Sequence, residues 1–138
     1  MLQLTYYKII KNKMSDYNFI RFTKIGSKFG SYSISINKSF SFGFNSGFYS
    51  KEDIKRFKRV ILFFDKNKNA VAFQFTNDEN SEGSFAVTHG ESSGAVSARS
   101  FFMGNNLKNE QFLGKRIPKK EKDDRLGTLY VIDLIKKY

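Results

Sequence analysis

The sequence predicts an α+β fold, mainly antiparallel β with two short helices. Three observations lead there. Apolar and small polar residues alternate at period two over 31–37 and 39–44, the signature of strands with one buried face. Two apolar runs, 60–64 and 70–75, flank the polar stretch Asp65-Lys66-Asn67-Lys68-Asn69, which reads as a hairpin. The order strand, turn, strand, short helix, strand, loop, strand also occurs twice, over 31–75 and 84–134, as a duplicated unit would. A chain of 138 residues fits one domain. That domain is taken as 14–138, with 1–13 an N-terminal extension or an extra edge strand in which Leu2, Leu4 and Tyr6 alternate.

In chain order, 17–25 reads as a strand ended by Gly26 and Gly30. Over 31–37, Tyr32, Ile34 and Ile36 face one way, leaving Ser31, Ser33 and Ser35 as a solvated face. Asn37-Lys38 makes a tight turn, after which Phe40, Phe42 and Phe44 line one side of a strand as core. Asn45-Ser46-Gly47 breaks the pattern. Ser50 then N-caps a helix over 51–58, with Asp53 in the capping-box position. Ile54 and Phe57 share its apolar face, Glu52 and Arg56 pair at i, i+4, and Lys51, Lys55 and Lys58 cover the other face, with Arg59 at the exit.

The continuous run 60–64 predicts a strand buried on both faces. Residues 76–83, TNDENSEG, form an acidic connector. A strand over 84–89, a loop over 90–94 and a short strand over 95–97 follow, then a helix over 98–103 capped by Ser97. Residues 115–119 read as a strand, KEKDDRLG as a charged loop, and 128–134 as a final strand with Leu129 and Val131 opposite Tyr130, Ile132 and Leu134.

Composition narrows the function classes. Hydrophobic residues make up 40% and aromatic ones 17%, with sixteen Phe and no Trp, enough for a ring-rich core. Without cysteine there is no disulfide, thiolate nucleophile or Cys-based zinc site, which fits a reducing cytoplasm. No apolar run reaches the roughly 18 residues of a membrane span. At the N-terminus the charges follow the apolar part, the wrong order for a signal peptide.

Enzyme motifs are thin. GESSG at 90–94 matches the G-x-S-x-G nucleophile elbow in letters, but the single histidine, His89, precedes the serine, against the order of the triad. Carboxylates cluster at Asp78-Glu79-Glu82 and at Glu121-Asp123-Asp124 without calcium-loop spacing. The reading is therefore a non-enzymatic protein that needs no cofactor.

The net charge of +11 is lopsided. Residues 1–69 carry fourteen Lys/Arg against four Asp/Glu, a balance of +10, whereas 70–138 carry ten against nine. A basic half points to a polyanion. The expected partner is nucleic acid, DNA first and RNA or a single strand second, without a membrane role. The candidate contacts are Lys38, Lys51, Lys55, Lys58, Arg59, Lys66 and Lys68, with Tyr49 as a stacking ring beside them. Arg21, Arg99 and Arg116 are the arginines with the geometry to read guanine. A competing class is a small phage- or mobile-element-type inhibitor that docks on a protein or on a protein–nucleic acid complex. A free edge strand such as 1–13 would favour a homodimer.

The stretch SISINKSFSFGFNSGFYS followed by RVILFFDKNKNAVAFQF resembles the looped-hairpin DNA-binding families of the AbrB, MazE and MraZ type. In those families a strand leads into a short helix and then a hairpin, and MraZ-type chains carry two copies. The resemblance implies DNA binding and transcription regulation.

Overall fold

Alternation places Ile34, Ile36, Phe42 and Phe44 on one side of a hairpin, and that side has to be covered. It is covered by a second sheet. The computed structural model describes residues 30–135 together with Tyr17 and Phe19. The expected strand at 1–13, and all but those two residues of the expected strand at 17–25, lie outside the described residues.

The strands are β1 (Ile34–Asn37), β2 (Ser41–Phe44), β3 (Arg59–Asp65), β4 (Ala70–Thr76), β5 (Phe85–Ala86), β6 (Thr88–His89), β7 (Gly94–Ser97), β8 (Gly114–Arg116), β9 (Lys119–Asp123) and β10 (Gly127–Asp133). The helices are α1 (Ser46–Lys51) and α2 (Arg99–Gly104), and 3₁₀ turns lie at Ile54–Arg56 and Asn109–Gln111. One sheet has the order β6-β7-β2-β1-β8 and the other β5-β3-β4-β10-β9. All the pairings are antiparallel. The architecture is thus mainly antiparallel β with two short helices.

The sheets meet through rings. Phe42 stands edge-on to Phe73 at 4.9 Å and Phe44 to Phe75 at 5.1 Å. Edge-to-face pairs add roughly 0.5–1.5 kcal/mol each beyond area burial. This contact also aligns the sheets: the start of β2 lies over the start of β4. The β1–β2 turn, α2 and the β3–β4 tip therefore share one end, and Phe64–Phe101 contact at 6.4 Å joins them there.

The topology repeats. Each sheet is centred on one strand from either half, β2 with β7 and β4 with β10. Each half contains a hairpin, a six-residue helix, a 3₁₀ turn and a second hairpin in that order. The second half adds β5 at its start and β8 before its last hairpin. Asp53 (φ 54°) and Asn106 (φ 57°) both follow their helices in the left-handed region. Asp65 and Asp123 each accept two backbone N–H bonds at a hairpin turn. Those turns close on Asn69 (φ 51°) and Gly127 (φ 82°).

Several expectations are corrected. The first helix does not run over 51–58 from a Ser50 cap; it is α1, with Asn45 at the N-cap position. Burying Phe48 and Tyr49, at roughly 1.5–3 kcal/mol each, outweighs a cap worth about 1 kcal/mol. Gly47 is no breaker either. A Cβ there would sit 2.4 Å from the Gly30 carbonyl oxygen, so the glycine permits close approach. The Ser31, Ser33 and Ser35 face is not open water. Ser33 is 2% exposed, and the Asn45 amide donates to Ser33 Oγ at 2.6 Å and to Ser35 Oγ at 3.0 Å.

In β3 only Val60 is fully buried, while Ile61 and Phe63 lie half-buried on the outer face. The expected 84–89 strand divides at Val87: β5 joins the second sheet and β6 the first. The first half of the KEKDDRLG "loop" is β9, an edge strand. Edge strands carry charge on both faces to discourage pairing, so hydropathy misses them.

Candidate nucleic-acid interface

The predicted cations divide between the two ends of the sandwich. At the end shared by the β1–β2 turn, α2 and the β3–β4 tip stand Lys38, Lys66 and Lys68, all exposed. Arg99 and Lys108, also exposed, join them. Asp65 holds the hairpin tip by accepting the Asn67 and Lys68 N–H groups at 3.0 and 3.1 Å, so its carboxylate is engaged with backbone. Among the described residues, none of these five cations has a carboxylate within 4 Å.

Phe40 lies at the centre of this end and is not simply core. It sits in the β1–β2 turn with φ 58°, a conformation uncommon for a bulky side chain. Neighbours hold it there. Its carbonyl accepts the Ala98 N–H at 2.9 Å, and buried Asn109 donates to the Asn37 and Lys38 carbonyls at 2.9 and 3.0 Å. The ring is half-buried, 6.0 Å edge-on from Phe102, with the Arg99 guanidinium 4.3 Å from its centroid.

The other end holds Lys51, Lys55, Lys58 and Arg59, which do not form a helical face because Asp53 ends the helix between them. Carboxylates match its cations. Lys58 pairs with Glu79 at 3.2 Å and Arg56 with Asp53 at 3.8 Å, all four side chains well exposed. Such pairs add little stability, but they cancel local charge. Lys55 borders a depression shared with Asp53 and Glu91. Arg59 is tied to Ser84 through Oγ at 2.6 Å and the carbonyl at 2.7 Å. The Lys51 ammonium lies 5.4 Å from the Tyr32 ring.

Glu52 does not pair with Arg56. Its side chain, 8% exposed, accepts from Tyr32 Oη at 2.8 Å, Tyr130 Oη at 3.0 Å and Lys120 Nζ at 3.2 Å. Burial opposes its charge, but the three hydrogen bonds and the Lys120 ammonium more than offset this and lower its pKa. Burial, together with the Glu52 carboxylate, pushes Tyr32 up to about 12 and Tyr130 up as well. A raised pKa gives stability that is whole below the ordinary value of 10.0 and lost as pH rises through the folded value. Tyr32→Phe should therefore flatten the fall in urea midpoint between pH ~10 and ~12 relative to wild type. Parallel pH curves for the two proteins would refute this.

Two predicted roles do not survive burial. Tyr49 is 3% exposed, and its hydroxyl meets His89 Nδ1 at 2.6 Å. His89 Nε2 lies 2.6 Å from the Phe57 carbonyl, which can only accept. Nε2 therefore carries a proton, and in the neutral ring Nδ1 accepts from Tyr49, whose ring is closed to stacking. Arg116 is 1% exposed and spends its guanidinium on carbonyls, so it reads no base. Arg21 lies outside the described residues. GESSG forms the turn of a β6–β7 hairpin, closed by Gly90 N–H to the Ser93 carbonyl at 2.8 Å, not a strand–turn–helix elbow. Among the described residues no group of three His, Cys, Asp or Glu side chains could hold a metal ion. No helix among them is long and apolar enough to cross a membrane.

Sequence reasoning passed over Lys108 and the placement of Arg99 because both lie in the near-neutral half. The repeat carries the missing signal: Lys108 follows α2 at the same spacing as Lys55 follows α1. In comparisons with family models, curated proteins and solved structures, the chain matches none.

Proposed function

We propose that the protein binds nucleic acid, DNA first, through the end that carries Lys38, Lys66, Lys68, Arg99 and Lys108. The observation that carries this reading is the gathering of five exposed cations, without ion-pair partners among the described residues, on one end of the sandwich. At the opposite end Lys58 and Arg56 are ion-paired within 4 Å, which weakens its field, whereas Glu121 and Asp123 beside Lys68 and Glu110 beside Lys108 border shared depressions without closing an ion pair. Flexible lysines on turns reach phosphates and release counterions, which gives affinity without sequence preference.

The test is a salt titration of binding to duplex DNA. Five phosphate contacts predict a slope of log K against log salt of about −4 to −5, and about a 10²- to 10³-fold loss between about 50 and 200 mM salt. Lys66→Glu with Lys68→Glu should weaken binding about 10- to 100-fold, while reversing Lys51, Lys55 and Lys58 should change it less than about threefold. Binding no tighter than about 100 μM to duplex DNA, single-stranded DNA or RNA near physiological salt would sink the proposal.

A further inference from the structure

The basic end contains a pocket of about 360 Å³. Phe40, Phe102, Met103 and Leu107 give it apolar walls, and Asn106, Lys108, Asn109 and Glu110 are its polar residues. Met103 is 54% exposed, so this wall of the pocket is accessible from solvent. Lys108 stands on the rim, Arg99 lies against the Phe40 ring, and Lys38 begins the turn that carries Phe40.

We infer that this pocket takes one unstacked nucleobase, so that the protein prefers single-stranded or frayed nucleic acid to intact duplex. The inference rests on the nucleic-acid reading above and adds its strandedness. A flat, apolar ring with polar edges fits a pocket of rings, a thioether and an aliphatic wall, and base stacking on aromatic or guanidinium planes is tolerant of sequence. Asn106, in the left-handed region at the pocket, offers an amide that donates and accepts. Glu110 offers a carboxylate that can accept from an exocyclic amino group. The cations of the rim match the phosphates flanking such a base, which supplies the charge complementarity a purely apolar ligand would lack. Strained backbone clusters at binding clamps, and Phe40 is the bulky residue in this turn held at positive φ.

The experiment compares a short single-stranded oligonucleotide carrying 2-aminopurine with the blunt duplex of the same sequence, using the full chain and the charge-neutral Met103→Ser. Met103 is exposed, so this variant should fold, which circular dichroism checks; Phe40→Gly, compatible with positive φ, gives an independent loss of the ring. The expected result is single-strand affinity about tenfold or more above duplex. A 2-aminopurine fluorescence change should accompany binding. Both variants should lose the preference and the signal while duplex affinity stays within about twofold. Equal binding to both forms with unchanged fluorescence overturns the base pocket and leaves the nucleic-acid reading intact. Failure of both forms to bind overturns both readings.

Discussion

Arg116→Met should lower stability by about 3–5 kcal/mol, the largest effect expected of a single substitution in this fold. Arg116 lies at the end of β8, fully buried. Its Nε donates to the Asp133 carbonyl at 3.0 Å, and its terminal nitrogens to the carbonyls of Lys115, Phe112 and Leu134 at 3.2, 2.8 and 2.7 Å. Burial pushes its pKa down and the Asp133 carboxylate partly restores it. One side chain thus ties the edge of the first sheet to the last strand of the second. Methionine fills similar volume but leaves carbonyls without donors, at about 1–3 kcal/mol for each group that stays dry. Arg116→Lys keeps a charge but cannot fan out to four acceptors, and should be intermediate. Urea unfolding checks this through the midpoint at constant m. A loss under about 1 kcal/mol for Arg116→Met would show that water reaches the site.

The second large effect is Glu52→Ala, expected to cost about 2–4 kcal/mol. The Glu52 carboxylate draws together Tyr32 ahead of β1, Lys120 of β9 and Tyr130 of β10. Removing it leaves two part-buried hydroxyls without their acceptor, while the exposed Lys120 ammonium turns to water, whereas Glu52→Gln keeps an acceptor and should cost less. The sign with pH follows from the lowered carboxyl pKa. Its stabilisation is present above the ordinary value of 4.5 and lost as pH falls through the lower folded value. The stability of wild type relative to Glu52→Gln, from urea midpoints, should therefore be constant above pH 4.5 and shrink as the pH falls below it. Superimposable wild-type and Glu52→Gln acid profiles would show that the carboxylate is not coupled to folding.

Much of this architecture could be read in the chain. The alternation of Ile34, Ile36, Phe42 and Phe44 marked a buried face, and all four are core. The β3–β4 hairpin around DKNKN is where its turn residues place it. Other readings failed for physical reasons. Local capping logic at Ser50 lost to the burial of Phe48 and Tyr49, a term set by the partner sheet. Charge density concealed β9, because an edge strand needs only one paired side. Arg116 and Tyr49 looked like ligand contacts, and both are spent inside the fold.

The sequence by itself determined the strand alternation, the hairpin turns, the ring-rich core and the excess of positive charge. These depend on residue type and near neighbours. The tertiary structure alone decided which cations share a surface. Lys38, Lys66 and Lys68 meet Arg99 and Lys108 because β2 stacks on β4 in register, Phe42 on Phe73 and Phe44 on Phe75. Lys51, Lys55 and Lys58 fall at the opposite end beside carboxylates from the acidic connector and the β6–β7 turn. Charge is additive along a chain, but a field depends on distance, and distance is set by the packing of the two sheets.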